Sequence, residues 1–392
     1  MKKSTIAINT PFCRRDAYNA LSMPVYDAVA YEFDNAKDMA DAFTGRSDSP
    51  DYSRTANPTV TNFEQRVKAL TGAEDVMAMN SGMAAISTTV MALSARGKNI
   101  VTSHHMFGNT FELLTRTLHR FGVETRLADL TNPEEVEEDI DDDTCCIFLE
   151  IITNPQMEVA DIRALAEVAH RHHVPVVVDT TIIPFTEFSS HELGADIEVV
   201  SSTKYISGGA TSLGGLIIDY GTLRGFRQVV RGEMIFNLGA YMTPHAAYMQ
   251  TLGLETLSAR YKVESSNTLE LAKRMKELPQ IVRVNYVGLK DNPYYELAQK
   301  QFGKTAGAMI CFDLKDKDAC FRFLDNLKLI HRATNLFDNR SLAIHPYSTI
   351  FGNFRPKALA EMDVYDTTIR LSIGLEDVDD LFEDIKQALE KE

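Results

Sequence analysis

The chain has 392 residues, 44% hydrophobic and 24% charged, which is enough to bury a large core and long enough for two domains. Its formal net charge of -15 repels nucleic-acid phosphates and anionic lipid, so neither is expected as a partner, although a local basic pocket for a small phosphate stays open. The start "MKKSTIAINTPFCRRD" has no apolar stretch of signal-peptide length behind its lysines, and no run approaches the roughly 20 apolar residues of a membrane span. A cytoplasmic protein is expected. The five cysteines (Cys13, Cys145, Cys146, Cys311, Cys320) form no C-x-x-C pair and read as reduced, mostly buried thiols.

Residues 1–56 are poor in periodic apolar positions and read as an extended arm that packs on a neighbouring subunit. Short strand-like runs then alternate with helical ones. "DVMAMN" precedes "SGMAAISTTVMALSA", "NIVTS" precedes "NTFELLTRTLHRFG", and "VETRLADL" precedes "NPEEVEEDI". The rhythm goes on through "CCIFLEI", the helical "DIRALAEVAHRHH", "VPVVVD" and "DIEVVSS". Such alternation predicts an α/β fold with a mostly parallel sheet covered on both faces, here a cofactor domain over residues 57–255. "GLETLSARYKVESSNTLELAKRMKEL" reads as a long helix ending before Pro279 and leading into a smaller C-terminal α/β domain, 256–392. That domain holds the strand-like "GAMICFDL", the helical "DKDACFRFLDNL" and the amphipathic "DVDDLFEDIKQALE".

In parallel sheets ligands bind outside the carboxyl ends of the strands. Asn80 and Ser81, Glu150, Asp179 and Lys204 all follow such ends, so they are expected to converge on one edge. Lys204 stands in "SSTKYISGGATSLGG", between a strand and a glycine-rich turn, and three uses suit it: a solvated charge, a grip on a phosphate, or an amine that bonds a carbonyl compound. Ser81 and Gly82 open a helix whose free N–H groups favour an anion, although a serine there also serves as a simple N-cap. A phosphate seat, a carboxylate and a strand-end lysine together match pyridoxal 5′-phosphate, with the lysine holding the aldehyde, the carboxylate keeping the ring nitrogen protonated and the helix terminus anchoring the phosphate.

Seven motifs in order carry a family resemblance: "YSRTANPT", "NSGMAAI", "NPQMEVADI", "VVVDTT", "SSTKYISG", "GLETLSAR" and "RLSIGLED". With them the chain resembles the pyridoxal-phosphate enzymes of Cys/Met metabolism: cystathionine γ-synthase and γ-lyase, methionine γ-lyase and the O-acylhomoserine sulfhydrylases. The resemblance implies the aspartate-aminotransferase-like (type I) fold and a homotetramer built from active-site dimers. It implies that Lys204 bonds the cofactor aldehyde, that Asp179 pairs with the ring nitrogen, and that Ser81, Gly82, Met83, Ser201 and Thr203 line the phosphate cup. Tyr52 and Arg54 match the pair that reaches the phosphate from a neighbouring subunit. Arg370 matches the residue for the substrate α-carboxylate, Asn154 lies near the ring oxygen and that carboxylate, and Ser341 is a further candidate for the same pocket. Taken alone, Arg370 also reads as an edge-strand salt bridge and "YSRTANP" as a loop. His104 with His105, and His170 with His172 and His173, lack partners at zinc-ligand spacing, so no metal is expected.

Two departures bear on the reaction. Phe107 stands where the family usually has tyrosine; it can stack on the cofactor ring but cannot exchange a proton. Thr180 replaces an asparagine, which puts one hydrogen bond behind Asp179 in doubt. A site without the tyrosine suits a leaving carboxylate, a weak base, better than a leaving thiolate. The expected activity is therefore an O-acetyl- or O-succinylhomoserine sulfhydrylase, making homocysteine for methionine biosynthesis by transsulfuration. The alternatives are a methionine or cystathionine γ-lyase, a cystathionine γ-synthase, and, more remotely, a non-catalytic relic of the fold.

Overall fold

The computed structural model describes residues 1–12, 16–95 and 97–390, so the expectation for Cys13 falls outside the described residues. Seven strands form the larger sheet: β1 (Asp75–Met79), β2 (Asn99–Thr102), β3 (Glu124–Leu127), β4 (Thr144–Glu150), β5 (Val176–Asp179), β6 (Ile197–Val200) and β7 (Gly215–Asp219), in the order β1-β7-β6-β5-β4-β2-β3. The near-continuous apolar runs of β5 and β6 mark strands covered on both faces, and their residues through Val178 and Val200 are buried. The pairings among β3, β2, β4, β5 and β6 are parallel, as the alternation of strands and helices predicts.

One strand runs the other way. β7 lies between β1 and β6 and is antiparallel to both. The chain returns from Lys204 through a glycine-rich loop with no crossover helix, and a return that short can only reverse direction.

Helices begin where the residues can cap them. Asn57 accepts from Thr59 N and Val60 N ahead of Pro58, and the helix Pro58–Thr71 stops at Gly72, whose φ of 72° is left-handed. The expected helix 109–122 is a chain of three short turns instead: α-helical Gly108–Glu112, π-helical Leu113–Thr117 and 3₁₀ Leu118–Phe121.

The long helix starts earlier than expected. Thr243 caps it and it runs Pro244–Met275, about 48 Å at 1.5 Å per residue, straight through position 255. Leu254, Leu257, Tyr261, Glu264, Thr268 and Leu271 make its buried stripe. It packs on the helices Pro58–Thr71 and Val378–Glu390 and leads into the second sheet. That sheet contains β8 (Arg283–Asn285), β9 (Met309–Asp313), β10 (His331–Arg332), β11 (Leu342–Ile344) and β12 (Thr368–Ser372), ordered β10-β11-β12-β9-β8 and largely antiparallel.

The arm is not extended throughout. Lys3–Asn9 is a helix packed on Pro58–Thr71, and the Lys3 ammonium donates to the Phe185 and Phe188 carbonyls. Farther along, Leu21 (97% exposed), Val29 and Phe43 are left uncovered, and the helix Ala36–Phe43 has no buried residue. Among the described residues no helix is long and apolar enough to cross a membrane, and no cluster of His, Cys, Asp and Glu is placed to hold a metal ion. The four described cysteines are unpaired and buried.

Candidate active site

A cavity of about 750 Å³ opens where the carboxyl ends of β4, β5 and β6 face the second sheet. Ser81, Gly82, Met83, Phe107, Asn154, Asp179, Ser201, Thr203, Lys204 and Arg370 all line it. Four expected residues do not, and one of them, Asn80, is exposed at the end of β1. Ser341 is fully buried behind the cavity, where its Oγ donates to Glu376 and accepts from Gly374 N, so it braces a neighbouring turn. Tyr52 and Arg54 lie outside the cavity of their own chain; the Arg54 guanidinium stands over the Tyr52 and Phe236 rings, 5.4 Å from each centroid, and donates to the Phe236 carbonyl.

At one end of the cavity the helix Gly82–Leu93 begins. Ser81 is its N-cap, its Oγ accepting from Ala84 N at 3.1 Å, so the cap reading is correct and coexists with exposure to the cavity. A Cβ on Gly82 would stand 2.7 Å from that of Ser201, so only glycine lets the helix terminus approach the loop after β6 this closely. Thr181 holds that loop by accepting from Ser201 N at 2.8 Å. The Thr203 hydroxyl is tied to Gly214, 3.1 Å from its carbonyl and 3.0 Å from its amide. These groups surround a helix N-terminus and form a cradle for an anion the size of phosphate.

In the middle stand Asp179 and Lys204. Burial raises the carboxyl pKa of Asp179 above the ordinary range, against the hydrogen bond that its Oδ1 accepts from Thr181 N at 2.9 Å. Burial, aided by the Arg370 charge, lowers the Lys204 amine to about 8. The amine donates to Asn335 Oδ1 at 2.8 Å. Thr180 does not face this pocket; its hydroxyl donates at 2.5 Å to Glu198, a carboxylate that also accepts from Ser190 and Tyr220. The threonine thus belongs to a buried network below Asp179.

The other end is closed by the second sheet. Arg370, 2% exposed on central strand β12, reaches Asn154 Oδ1 at 3.2 Å and the carbonyls of Thr334 and Asn335 at 3.2 and 3.3 Å. Its Nε is buried and has no partner among the described residues. A guanidinium edge left open in this way is what a ligand carboxylate completes.

Glu150, expected at this edge without an assigned role, and Asn335, outside the expected set, also shape the site. Glu150 spans two loops, its Oε1 accepting from Phe107 N at 2.8 Å and its Oε2 from Asn154 N at 3.3 Å. It is the register neighbour of Asp179, and burial together with that charge raises its pKa as well. Its strand-end position signals the neighbourhood, but nothing local signals the clamp. Asn335 has no sequence signal, since it enters from a loop of the second sheet. Together the anion cradle, the recessed amine and the buried carboxyl of Asp179 fit pyridoxal phosphate at its phosphate, aldehyde and ring nitrogen.

Comparison with known proteins agrees. The profile of the family described as Cys/Met metabolism PLP-dependent enzyme matches residues 4–390. The O-succinylhomoserine sulfhydrylase of Pseudomonas aeruginosa is 36% identical, over 93% of this chain and 90% of that one. The L-methionine gamma-lyase of Porphyromonas gingivalis is 35% identical over 96% and 94%, and the O-acetyl-L-homoserine sulfhydrylase of Corynebacterium glutamicum 32% over 94% and 92%. Among solved structures, a protein described as an O-acetylhomoserine (thiol)-lyase from Campylobacter jejuni, with a pyridoxyl phosphate group on a lysine, superposes with a TM-score of 0.96 over 100% of both chains at 32% identity.

Proposed function

Because the chain belongs to the Cys/Met-metabolism PLP-dependent enzymes, we propose that it is an O-acylhomoserine sulfhydrylase, replacing the acyloxy group by sulfide or a thiol to give homocysteine or a thioether of it. Lys204 would hold the cofactor aldehyde, Asp179 its ring nitrogen, and Ser81, Gly82, Met83, Ser201 and Thr203 its phosphate. When bound, pyridoxal phosphate withdraws electrons from the substrate Cα, which makes the α- and then the β-proton acidic and lets the γ-substituent depart.

The chain's own residues do the rest. Arg370 takes the substrate carboxylate on its open edge, which fixes Cα on the Lys204 side of the cavity. With its pKa brought down to about 8, the Lys204 amine can accept a proton from carbon and return it near neutral pH. Asn335 steadies that amine. The Cγ–O bond breaks and a Cγ–S bond forms; the acyloxy group leaves as a carboxylate and the proton of the thiol goes to solvent.

The observation that carries this choice over the lyases is Phe107 in the cavity wall, a ring with no proton to give a leaving group. A carboxylate departs without that help; a thiolate is a stronger base and needs it. A γ-lyase is the second reading, favoured by the methionine gamma-lyase relative of similar identity. Incubation with O-acetylhomoserine, with and without sulfide, separates them. The first reading predicts homocysteine only with sulfide and little 2-oxobutanoate; 2-oxobutanoate as the main product in both tubes supports the second.

We also propose a cytoplasmic homo-oligomer, a tetramer of active-site dimers. The uncovered apolar side chains of the arm, and the position of Tyr52 and Arg54 outside their own cavity, support the sharing of each site between two copies.

A further inference from the structure

We infer that the cavity accepts one substrate carboxylate and no second one, so that the acyl group displaced is uncharged, as in O-acetylhomoserine, and the sulfur nucleophile is a small species without a carboxylate, such as sulfide. The inference rests on the sulfhydrylase reading and names its substrate class, which the relatives leave open because they include enzymes of both the acetyl and the succinyl ester.

Charge in the cavity wall decides the matter. Among the described residues that line the cavity, Lys204 and Arg370 are the only cations. Both are already engaged, since Arg370 offers its open Nε edge to the α-carboxylate and the Lys204 amine holds the cofactor and moves protons. The remaining charged lining groups, Glu150 and Asp179, are carboxyls. Elsewhere the walls are neutral, with Met83, Phe107, Leu336 and Ile350 presenting hydrocarbon. The helix Gly108–Glu112, whose Asn109 and Thr110 reach the cavity, ends on another carboxylate. Arg54 of a second copy has the cofactor phosphate as its assigned partner.

The distal carboxylate of a succinyl ester would therefore face hydrocarbon and like charge with no free cation among the described lining residues to meet it, a cost that grows steeply as such a charge is buried unpaired. The acetyl ester ends in a methyl group and meets no such cost. The same reasoning excludes cysteine as the nucleophile, because its carboxylate would need a second guanidinium, while sulfide carries none. With acetyl ester and hydrogen sulfide the reaction balances as one Cγ–O bond broken and one Cγ–S bond formed, giving homocysteine and acetic acid with no change of oxidation state at carbon.

The test compares kcat/KM, at fixed sulfide, for O-acetylhomoserine, O-succinylhomoserine and the amide in which the distal carboxylate of the latter is CONH2. The expected succinyl value is about 100-fold below the acetyl value, about 3 kcal/mol at 1.4 kcal/mol per tenfold. The amide, matched in shape but neutral, should recover at least about 10-fold of that loss. A succinyl ester used within about 3-fold of the acetyl ester overturns the inference, and so does an amide as poor as the acid, since size and not charge would then decide.

Binding gives a second readout. L-norvaline should perturb the cofactor absorption at about 10-fold lower concentration than L-2-aminoadipate, which carries a second carboxylate; equal affinity contradicts the inference. In the cofactor-loaded variant Ile350→Lys the succinyl-to-acetyl ratio should rise about 10-fold, and an unchanged ratio counts against it. If the esters give 2-oxobutanoate and no homocysteine, the sulfhydrylase reading has failed, and the acetyl-to-succinyl ratio read on 2-oxobutanoate still decides the charge rule.

Discussion

Lys204 and Asp179 owe their reactivity to the same physical cause. Removal from water penalises the charged form of each, so the amine loses its proton more readily and the carboxyl keeps its own longer. A lysine at about 8 is a nucleophile at a pH where one at 10.5 is almost wholly protonated. Capture of pyridoxal phosphate by the cofactor-free protein should therefore speed up with rising pH and level off above about 8. A rate followed by stopped-flow absorbance that keeps climbing past pH 10 contradicts this. Arg370 depends on shape as well as charge. Lysine in its place keeps the charge but loses the planar two-point grip, so Arg370→Lys should raise the substrate KM about 30-fold, about 2 kcal/mol, with kcat changed far less. A purely structural arginine would show the loss in thermal stability and not in KM.

Between elements, one histidine joins the two sheets. His105 stands two residues before Phe107, with Nδ1 2.9 Å from Glu158 of the segment after β4 and Nε2 3.1 Å from Asp363, which follows the helix Pro356–Glu361. Burial lowers its pKa, but the two carboxylates outweigh burial and raise it above 6.5. A folded-state pKa above the unfolded one gives stability that is complete below about pH 6.5 and is lost as pH rises through the folded value. His105→Gln should thus cost about 1 kcal/mol at pH 6 and nothing measurable at pH 9, read from urea midpoints. The same loss at both pH values would show that the ring matters only as packing.

Elements that declare themselves by composition were legible in the sequence. β1, β2, β4, β5 and β6 are short, mostly apolar runs, and the parallel pairing of β2, β4 and β5 follows from the helices between them, whereas β5 and β6 pair in parallel across a loop with only the 3₁₀ turn His191–Leu193 and β1 has the reversed β7 as its one neighbour. β7 escaped because its residues read as the tail of a glycine loop and its reversed direction is a tertiary fact. β8, β10 and β11 are two or three residues long, too short for any period to register. The segment after Phe107 has a helical pattern, but its turns change type within Gly108–Phe121, and no propensity announces that.

For the whole molecule, the site is legible only in part from one chain. The strand-end rule brought Ser81, Asp179 and Lys204 together without further help. Arg370 and Asn154 needed the family resemblance, because a separate sheet and a loop bring them in. The Asn335 contact exists only once both sheets pack, and the Glu150 clamp only once the loops after β2 and β4 meet at one edge of the larger sheet. Tyr52 and Arg54 act, on this account, in another copy's site, which yields a test of assembly. Arg54→Ala and Lys204→Ala proteins, each nearly inactive alone, should on co-refolding regain about a quarter of wild-type activity, the share of sites with both residues intact in a randomly mixed dimer. No recovery, with mixed dimers shown to form, would mean that each chain uses its own Arg54.

The most direct test of the account is where the cofactor attaches. The protein loaded with pyridoxal phosphate is reduced with borohydride, digested and mapped by mass spectrometry. The account predicts a single pyridoxyl phosphate adduct, on Lys204, and no visible absorption from the Lys204→Ala protein under the same loading. An unmodified Lys204 peptide, or an adduct on any other lysine, would contradict it.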